Sequence, residues 1–254
     1  MTSFAIPASG FPVDPDAPAD IAAWRVAAGD RGYAYRERWA DPELTGLLFA
    51  EGVRPVATDV VDALQSSAPF LAGSLTATYV AAGSVIETSF IAFPLSRSMP
   101  SVVLVNARRG ALRQANIGMG SRQMLTVVGD FDRAFTLYCP IGHEAVALDV
   151  FTPELTQMFL EAIPGSDAEL VDEWLFVYGT AGRCTSPDSL DRIERLSARV
   201  HDAIVRRDFD SLHALTRSSP RATKTAGRTL RFAAVLALTT VAAGALAWFA
   251  TFAR

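Results

Sequence analysis

Lysine is nearly absent from this sequence: of its 23 basic residues only Lys224 is a lysine, and the rest are arginines. A bias toward GC-rich codons accounts for that skew, so scattered arginines do not mark a phosphate site. Cysteine is equally scarce. Cys139 and Cys184 are too few for a disulfide framework and fit a reducing compartment. The three histidines, His143, His201 and His213, lack the short spacing of zinc ligands. There is no phosphate-binding P-loop and no G-x-S-x-G elbow. Gly118-Met119-Gly120 lacks the third glycine and the strand and helix of a dinucleotide fingerprint. No cofactor or metal is expected from these residues.

What is present is an asymmetry of charge. From Arg217 onward there are six basic residues and no acidic one, so the first 216 residues carry −10 against −4 for the whole chain. An acidic body lacks the clustered cations that neutralise phosphates, and nucleic acid is not an expected partner. The opening MTSFAIPASGFPVDPDAPAD has no basic n-region and no long apolar run. It is read as a flexible leader over residues 1–18 rather than a signal peptide.

Near the other end, FAAVLALTTVAAGALAWFATF, Phe232 to Phe252, contains no charge. As a helix rising about 1.5 Å per residue it spans roughly 30 Å, the thickness of a bilayer's hydrocarbon core. A core helix rarely stays uncharged around its whole circumference for so long, so a transmembrane helix over 232–252 is expected. Its anchor residues are Phe232, Leu236, Leu238, Leu246, Trp248, Phe249 and Phe252, the aromatic ones clustering toward the far interface. Arg217, Arg221, Lys224, Arg228 and Arg231 precede the run and only Arg254 follows it. The excess of positive charge predicts a single pass through the plasma membrane with the N-terminal domain in the cytoplasm. The linker 209–231, rich in Ser, Thr, Pro and Gly, would lay those charges against anionic lipid, making the bilayer itself the first expected partner.

Between leader and linker, residues 19–208 read as one α+β domain with a mostly antiparallel sheet and flanking helices. IAAWRVAAGDRG follows Asp20 and predicts a short helix with Asp20 as N-cap. Asp41-Pro42-Glu43-Leu44 predicts a second, closed by Gly52, and Thr152-Pro153-Glu154-Leu155 a third. VRPVATDVVDALQ, SLTATYVAAGSVIETSFIAFPL and SVVLVNA alternate in polarity and predict strands, with Ala82-Gly83-Ser84 turning a hairpin. MLTVVGDFDRAFTLYC continues the sheet, and AELVDEWLFVYG adds a pair or a bent strand around Asp172-Glu173. A fourth helix runs from Thr185 to about Arg207. Its stripe Leu190, Ile193, Leu196, Val200 and Ile204 would pack on the sheet or meet a partner, so the 190–207 helix is the candidate protein-docking surface. Nothing fixes the oligomeric state.

The strongest enzymatic lead is CPIGH, Cys139 to His143. Strand alternation puts Cys139 on one face with Phe135 and Leu137, an apolar setting that raises a thiol's pKa and leaves it inert. Pro140 and Gly142 predict a turn with His143 on a loop. Asp130 and Asp132 in GDFD offer two carboxylates to a cation but no further ligand nearby. Arg108, Arg109, Arg113 and Arg122 form the one basic patch of the body, read as a solvated loop.

The opening IAAWRVAAGDRGYAYRERWADPELTGLLF and the later GDFDRAFTLYCPIGHEAVALDVFTPELTQMFLEA resemble a family of uncharacterised actinobacterial membrane-associated proteins. The central motif is carried by Phe131, Asp132, Phe135, Thr152, Pro153 and Leu155, and the likeness spans roughly residues 20–180. The Gly-Arg-x-aromatic strand usual after the second helix is missing. The resemblance implies a domain of unknown function and brings no catalytic residues. The expectation is therefore a membrane-tethered interaction or regulatory module with no catalytic site. The alternative is a membrane-anchored hydrolase using His143, Glu144, Asp130 and Asp132.

Overall fold

In the computed structural model of the chain, residues 21–205 are described, apart from 109, 120–121, 127–130, 164 and 182–186. The leader, the basic linker and the apolar run Phe232–Phe252 lie outside the described residues, as do Asp20, Asp130, Arg109 and Cys184. Among the described residues no helix is long and apolar enough to cross a membrane.

One long strand organises the fold. β4, Ser84–Asn106, has 23 residues and joins stretches that the sequence presents as separate strands. It follows β1 (Ala34–Ala40), β2 (Val53–Asp62) and β3 (Leu71–Tyr79), and precedes β5 (Arg122–Leu125), β6 (Phe135–Pro140) and β7 (Asp167–Ala181). Every pairing among these strands is antiparallel. The order is β1-β2-β3-β4-β6-β5, with β7 on β4 as well. β3 pairs with Ser84–Ala92 and β6 with Val103–Asn106, while β7 follows β4 from Thr88 to Leu104. Irregular register between Pro94 and Val102 lets so long a strand bend and accommodates Pro94 and Pro100, which cannot donate to a ladder. β7 bends opposite, with Asp172 in the left-handed region at φ 51°, which meets the expectation of a bent strand around Asp172-Glu173.

Alternation along the strands gives the sheet two apolar faces. On one, Trp24, Ala27 and Ala28 of α1 (Ile21–Asp30) are buried, and the Trp24 indole N–H donates to the Asp59 carbonyl at 2.9 Å. Gly32, at φ 73°, ends α1 in the left-handed turn that only glycine adopts without strain. The N–H groups of Gly32 and Tyr33 return to the Gly29 and Ala28 carbonyls, both at 2.9 Å. α7 (Pro187–Val200) lies beside α1, tied by Arg31 to Asp191 and by Tyr33 to Glu194. Its Leu190, Ile193, Leu196 and Val200 are buried within this chain, and Ser197 donates to the Pro69 carbonyl at 3.0 Å. A five-residue π-helical turn, His201–Val205, follows. Also on this part of the molecule, Phe131, Phe135, Phe151 and Phe159 form a chain of rings 5.2 to 6.1 Å apart. They join α4 (Phe131–Ala134), β6, the end of α5 (Glu144–Val150) and α6 (Pro153–Ala162). Of the resemblance motif, Phe131, Phe135 and Leu155 are thus core packing, while Asp132 is exposed. Thr152 caps α6 as expected, accepting from the Leu155 N–H.

The second face carries Ala57, Leu75, Tyr79, Phe90, Val103, Phe176 and Tyr178 and is covered by two very short helices. These are α2 (Leu47–Glu51) and α3 (Ala111–Gln114). The sequence signal at Asp41-Pro42 placed the start of α2 too early. Asp41 instead sits at φ 46°, its N–H bonded to the Pro55 carbonyl at 2.9 Å, so the chain turns off β1 there and helix begins only at Leu47.

Candidate functional site

The structure brings part of the CPIGH constellation together. Cys139 is fully buried on the face it shares with Phe135 and Leu137. Gln123 is its cross-strand partner, and the Gln123 side-chain amide donates to Glu144 Oε1. The same oxygen accepts the Gly142 N–H at 3.1 Å. Burial pushes the thiol pKa up and the Glu144 charge adds to the rise, with Gln123 acting the other way. Hydrogen bonds from its own N–H and that of Gly142 hold the Glu144 carboxyl below the usual range. Both shifts are wrong for a nucleophile and its base: the thiol stays protonated, and the carboxylate is a weak proton acceptor.

His143 follows the expected turn, its N–H bonded to the Pro140 carbonyl at 3.1 Å, and stands at the N-cap of α5, a helix that sequence reasoning missed. Its side chain makes no cap bond, and Nδ1 is buried without a hydrogen-bond partner. Asp132 lies in the first turn of α4. Among the described residues no three His, Cys, Asp or Glu side chains are grouped as a metal would need. Of the basic patch, Arg108 is exposed on the loop before α3, but Arg113 is exposed on α3 itself and Arg122 opens β5, so the patch is not a single loop.

The polar chemistry that the sequence did not advertise sits on β7. Asp167 and Glu169 are buried, at 0% and 1% exposure, two residues apart and so on the same face. Each meets the N-terminus of one covering helix. Glu169 Oε2 accepts the Leu47 N–H at 2.7 Å and the Tyr178 hydroxyl at 3.1 Å. Asp167 Oδ2 accepts the Leu112 N–H at 2.8 Å, and Oδ1 accepts the Asn106 N–H at 2.7 Å. Both helices start from a glycine, Gly46 and Gly110, with no side-chain cap of their own. A Cβ on Gly46 would overlap the Tyr178 hydroxyl, and one on Gly110 would overlap the Asp167 carboxylate. The cap that an Asp or Ser supplies locally at most helices is supplied here across the fold, and glycine makes room for it.

Burial raises the Asp167 pKa to about 6, against the lowering effect of its two N–H donors and of Arg113. Tyr178 is raised well above its ordinary value, mainly by burial and then by the Glu169 charge. The cue available in sequence was the alternation Asp167-Ala-Glu169 at the head of an apolar strand. Around the covered face Trp39, Leu47, Met119, Tyr138, Val171 and Trp174 are only partly buried. Aromatic and methionine side chains in that state are what interface cores are rich in, so this face is the candidate interaction surface.

No family model and no curated protein matches the chain. The crystal structure of the mycobacterial trehalose monomycolate transport factor A, TtfA, is similar in fold. It superposes with a TM-score of 0.51 at 11% identity, over 72% of this chain and 93% of that one. At that identity the likeness concerns the fold alone.

Proposed function

We propose that the chain is a membrane-tethered interaction or regulatory module. In this reading residues 19–208 form the cytoplasmic domain. The linker 209–231 carries Arg217, Arg221, Lys224, Arg228 and Arg231 to the lipid surface, and 232–252 crosses the plasma membrane once. The observation that carries the reading is the uncharged run Phe232–Phe252 behind a basic linker. A neighbour in fold that is named a transport factor is compatible with a membrane-associated, non-catalytic role. For the alternative, a membrane-anchored hydrolase, Cys139 is buried and Glu144 is hydrogen-bonded within the fold, so the reading would rest on His143, Asp132 and Asp130, the last outside the described residues. A protein partner on α7 would meet its polar face, where Arg192 and Arg195 are exposed, because the apolar stripe is covered by the domain itself.

Protease protection tests the reading. With an epitope at the N-terminus, the tag should survive protease in intact spheroplasts, disappear on lysis, and stay with the membrane fraction throughout. A tag cut in intact spheroplasts would turn the domain outward, and a protein recovered in the soluble fraction would remove the anchor.

A further inference from the structure

One apolar patch gathers at the end of a hairpin. Val53, Thr78 and Val85 stand side by side across β2, β3 and β4, in register and so on one face of the sheet. All three are exposed, the two valines at 47% and 65%, so neither α1 nor α7 covers this end. Val80, 79% exposed, opens the β3–β4 turn two residues after Thr78. Single exposed valines are ordinary, whereas three collected at one hairpin end form a patch. The residues between them point inward and fix the root of the hairpin. Tyr79 and Ile86 are buried, the Tyr79 hydroxyl donates to the Leu48 carbonyl at 2.8 Å, and the Asn116 side-chain amide donates to the Ala81 carbonyl at 3.0 Å. The valines are held outward by this frame, so a surface that meets them finds them already placed.

We propose that this hairpin end docks on the bilayer surface, with Val53, Val80 and Val85 entering the lipid interface; the proposal rests on the membrane reading above. Charge selects this end of the domain. Residues 1–216 carry −10, which keeps most of the body away from anionic lipid. Tyr79 to Ile86 contains no charged side chain, and around it the exposed Arg54 and Arg113 offset the exposed Glu51 and Glu87. The docking is therefore apolar in character. Size selects lipid over a protein or a second copy of the chain, because three valines fall far below the roughly 1,000 Å² that a stable protein interface buries. A bilayer asks for less, since the anchor makes docking an intramolecular step that a weak contact can complete. The stretch 209–231 reaches at most about 80 Å when extended, against about 30 Å for the nine residues of β3, so the tether allows this end to turn to the lipid.

The full chain in vesicles of phosphatidylcholine and phosphatidylglycerol tests this, with Cys184→Ser removing one thiol, Cys139 buried, and Val80→Cys carrying an environment-sensitive dye. Flotation comes first: a chain that does not float with the vesicles overturns the membrane reading and the docking together. In the floated chain the dye should shift to the blue and lose most of its emission when the lipids carry a nitroxide near the glycerol end of the acyl chain. A dye on Arg192→Cys, exposed on α7, should do neither. Val85→Asp puts a charge at a position already exposed, so the fold is spared while entry into lipid is penalised. It should abolish both changes at Val80 without releasing the chain from the vesicles. A chain that floats while the Val80 dye reads as in water overturns the docking alone. A blue shift that lipid nitroxides do not quench puts another chain on the patch and overturns it as well, as does quenching that survives Val85→Asp.

Discussion

Asp167 and Leu112 stand 55 positions apart in the chain and 2.8 Å apart in the fold, joined by a bond from the Leu112 N–H to the buried carboxylate. Glu169 and Leu47 repeat the arrangement 122 positions apart at 2.7 Å. Two short helices with no capping residue of their own therefore exist because one strand brings carboxylates to their N-termini, where the orphan N–H groups and the helix dipole favour negative charge.

The glycines at those N-caps should be intolerant of a single methyl. Gly110→Ala puts a Cβ into the Asp167 carboxylate, and Gly46→Ala puts one into the Tyr178 hydroxyl. Each should cost about 1–3 kcal/mol, as overpacking of a filled interior does. Gly29→Ala is the control: it lies within α1 with nothing within 4 Å of the added Cβ. It should stabilise by about 0.5–1 kcal/mol through the entropy of the unfolded chain. Urea melts of the three variants against the wild-type chain measure this, and equal effects at Gly29 and Gly110 would contradict the packing described.

Asp167 also sets a pH dependence of global stability. An unfolded aspartate titrates near 3.9, and burial lifts the folded value to about 6, so between those limits the folded state holds more protons. Stability from this group is therefore gained as pH falls through that window and absent above it. A shift of about two units corresponds to about 3 kcal/mol at most. Asp167→Asn does not titrate, so the stability difference between wild type and variant should move by up to that amount in favour of wild type from about pH 7 to 4. Denaturant melts at several pH values read it directly. A constant difference would mean that the carboxyl titrates as it does in water.

The long, periodic elements were legible in sequence, and the short ones were not. Alternation in 53–62 and 71–79 gave β2 and β3. Gly83, at φ 64°, turns the hairpin where Ala82-Gly83-Ser84 predicts it. The Leu190–Val200 stripe gave α7, and Thr152-Pro153 gave α6. α3, α4 and α5 left no such mark, since helices of four to seven residues draw their stability from what they touch rather than from their own period. α2 was misplaced for the same reason: its start is set by Glu169, far along the chain. For the candidate site, Cys139 was correctly placed on an apolar face, but Asp167 fell just before the expected strand AELVDEWLFVYG and Glu169 was one of its polar positions with no role attached. Which face of β7 was buried depends on bulges near Asp172 that alternation alone does not locate.

Cys139 should be chemically silent in the folded chain. In a Cys184→Ser background, which leaves one thiol, iodoacetamide should label Cys139 slower by about a hundredfold or more under native conditions than in denaturant. Burial blocks access, and the raised pKa removes thiolate at the same time. Fast native labelling would reopen the nucleophile reading, since it requires the thiol to reach solvent as an anion.

The last prediction separates an internal role for α7 from an external one. Ile193 is fully buried, and its neighbour Arg192 is exposed. If the stripe serves this domain's own core, Ile193→Ala should cost about 2–4 kcal/mol, the range for truncating a buried aliphatic side chain that leaves a cavity. Arg192→Ala should change stability by no more than about 0.5 kcal/mol. Because a self-contained core does not sense protein concentration, the melting midpoint of both variants should be the same at dilute and tenfold higher chain concentration. A midpoint for Ile193→Ala that rises with concentration would instead show that a second chain packs on the stripe, since association stabilises the folded state by mass action. Burial of the whole Leu190–Val200 stripe against α1 and the sheet favours the concentration-independent outcome.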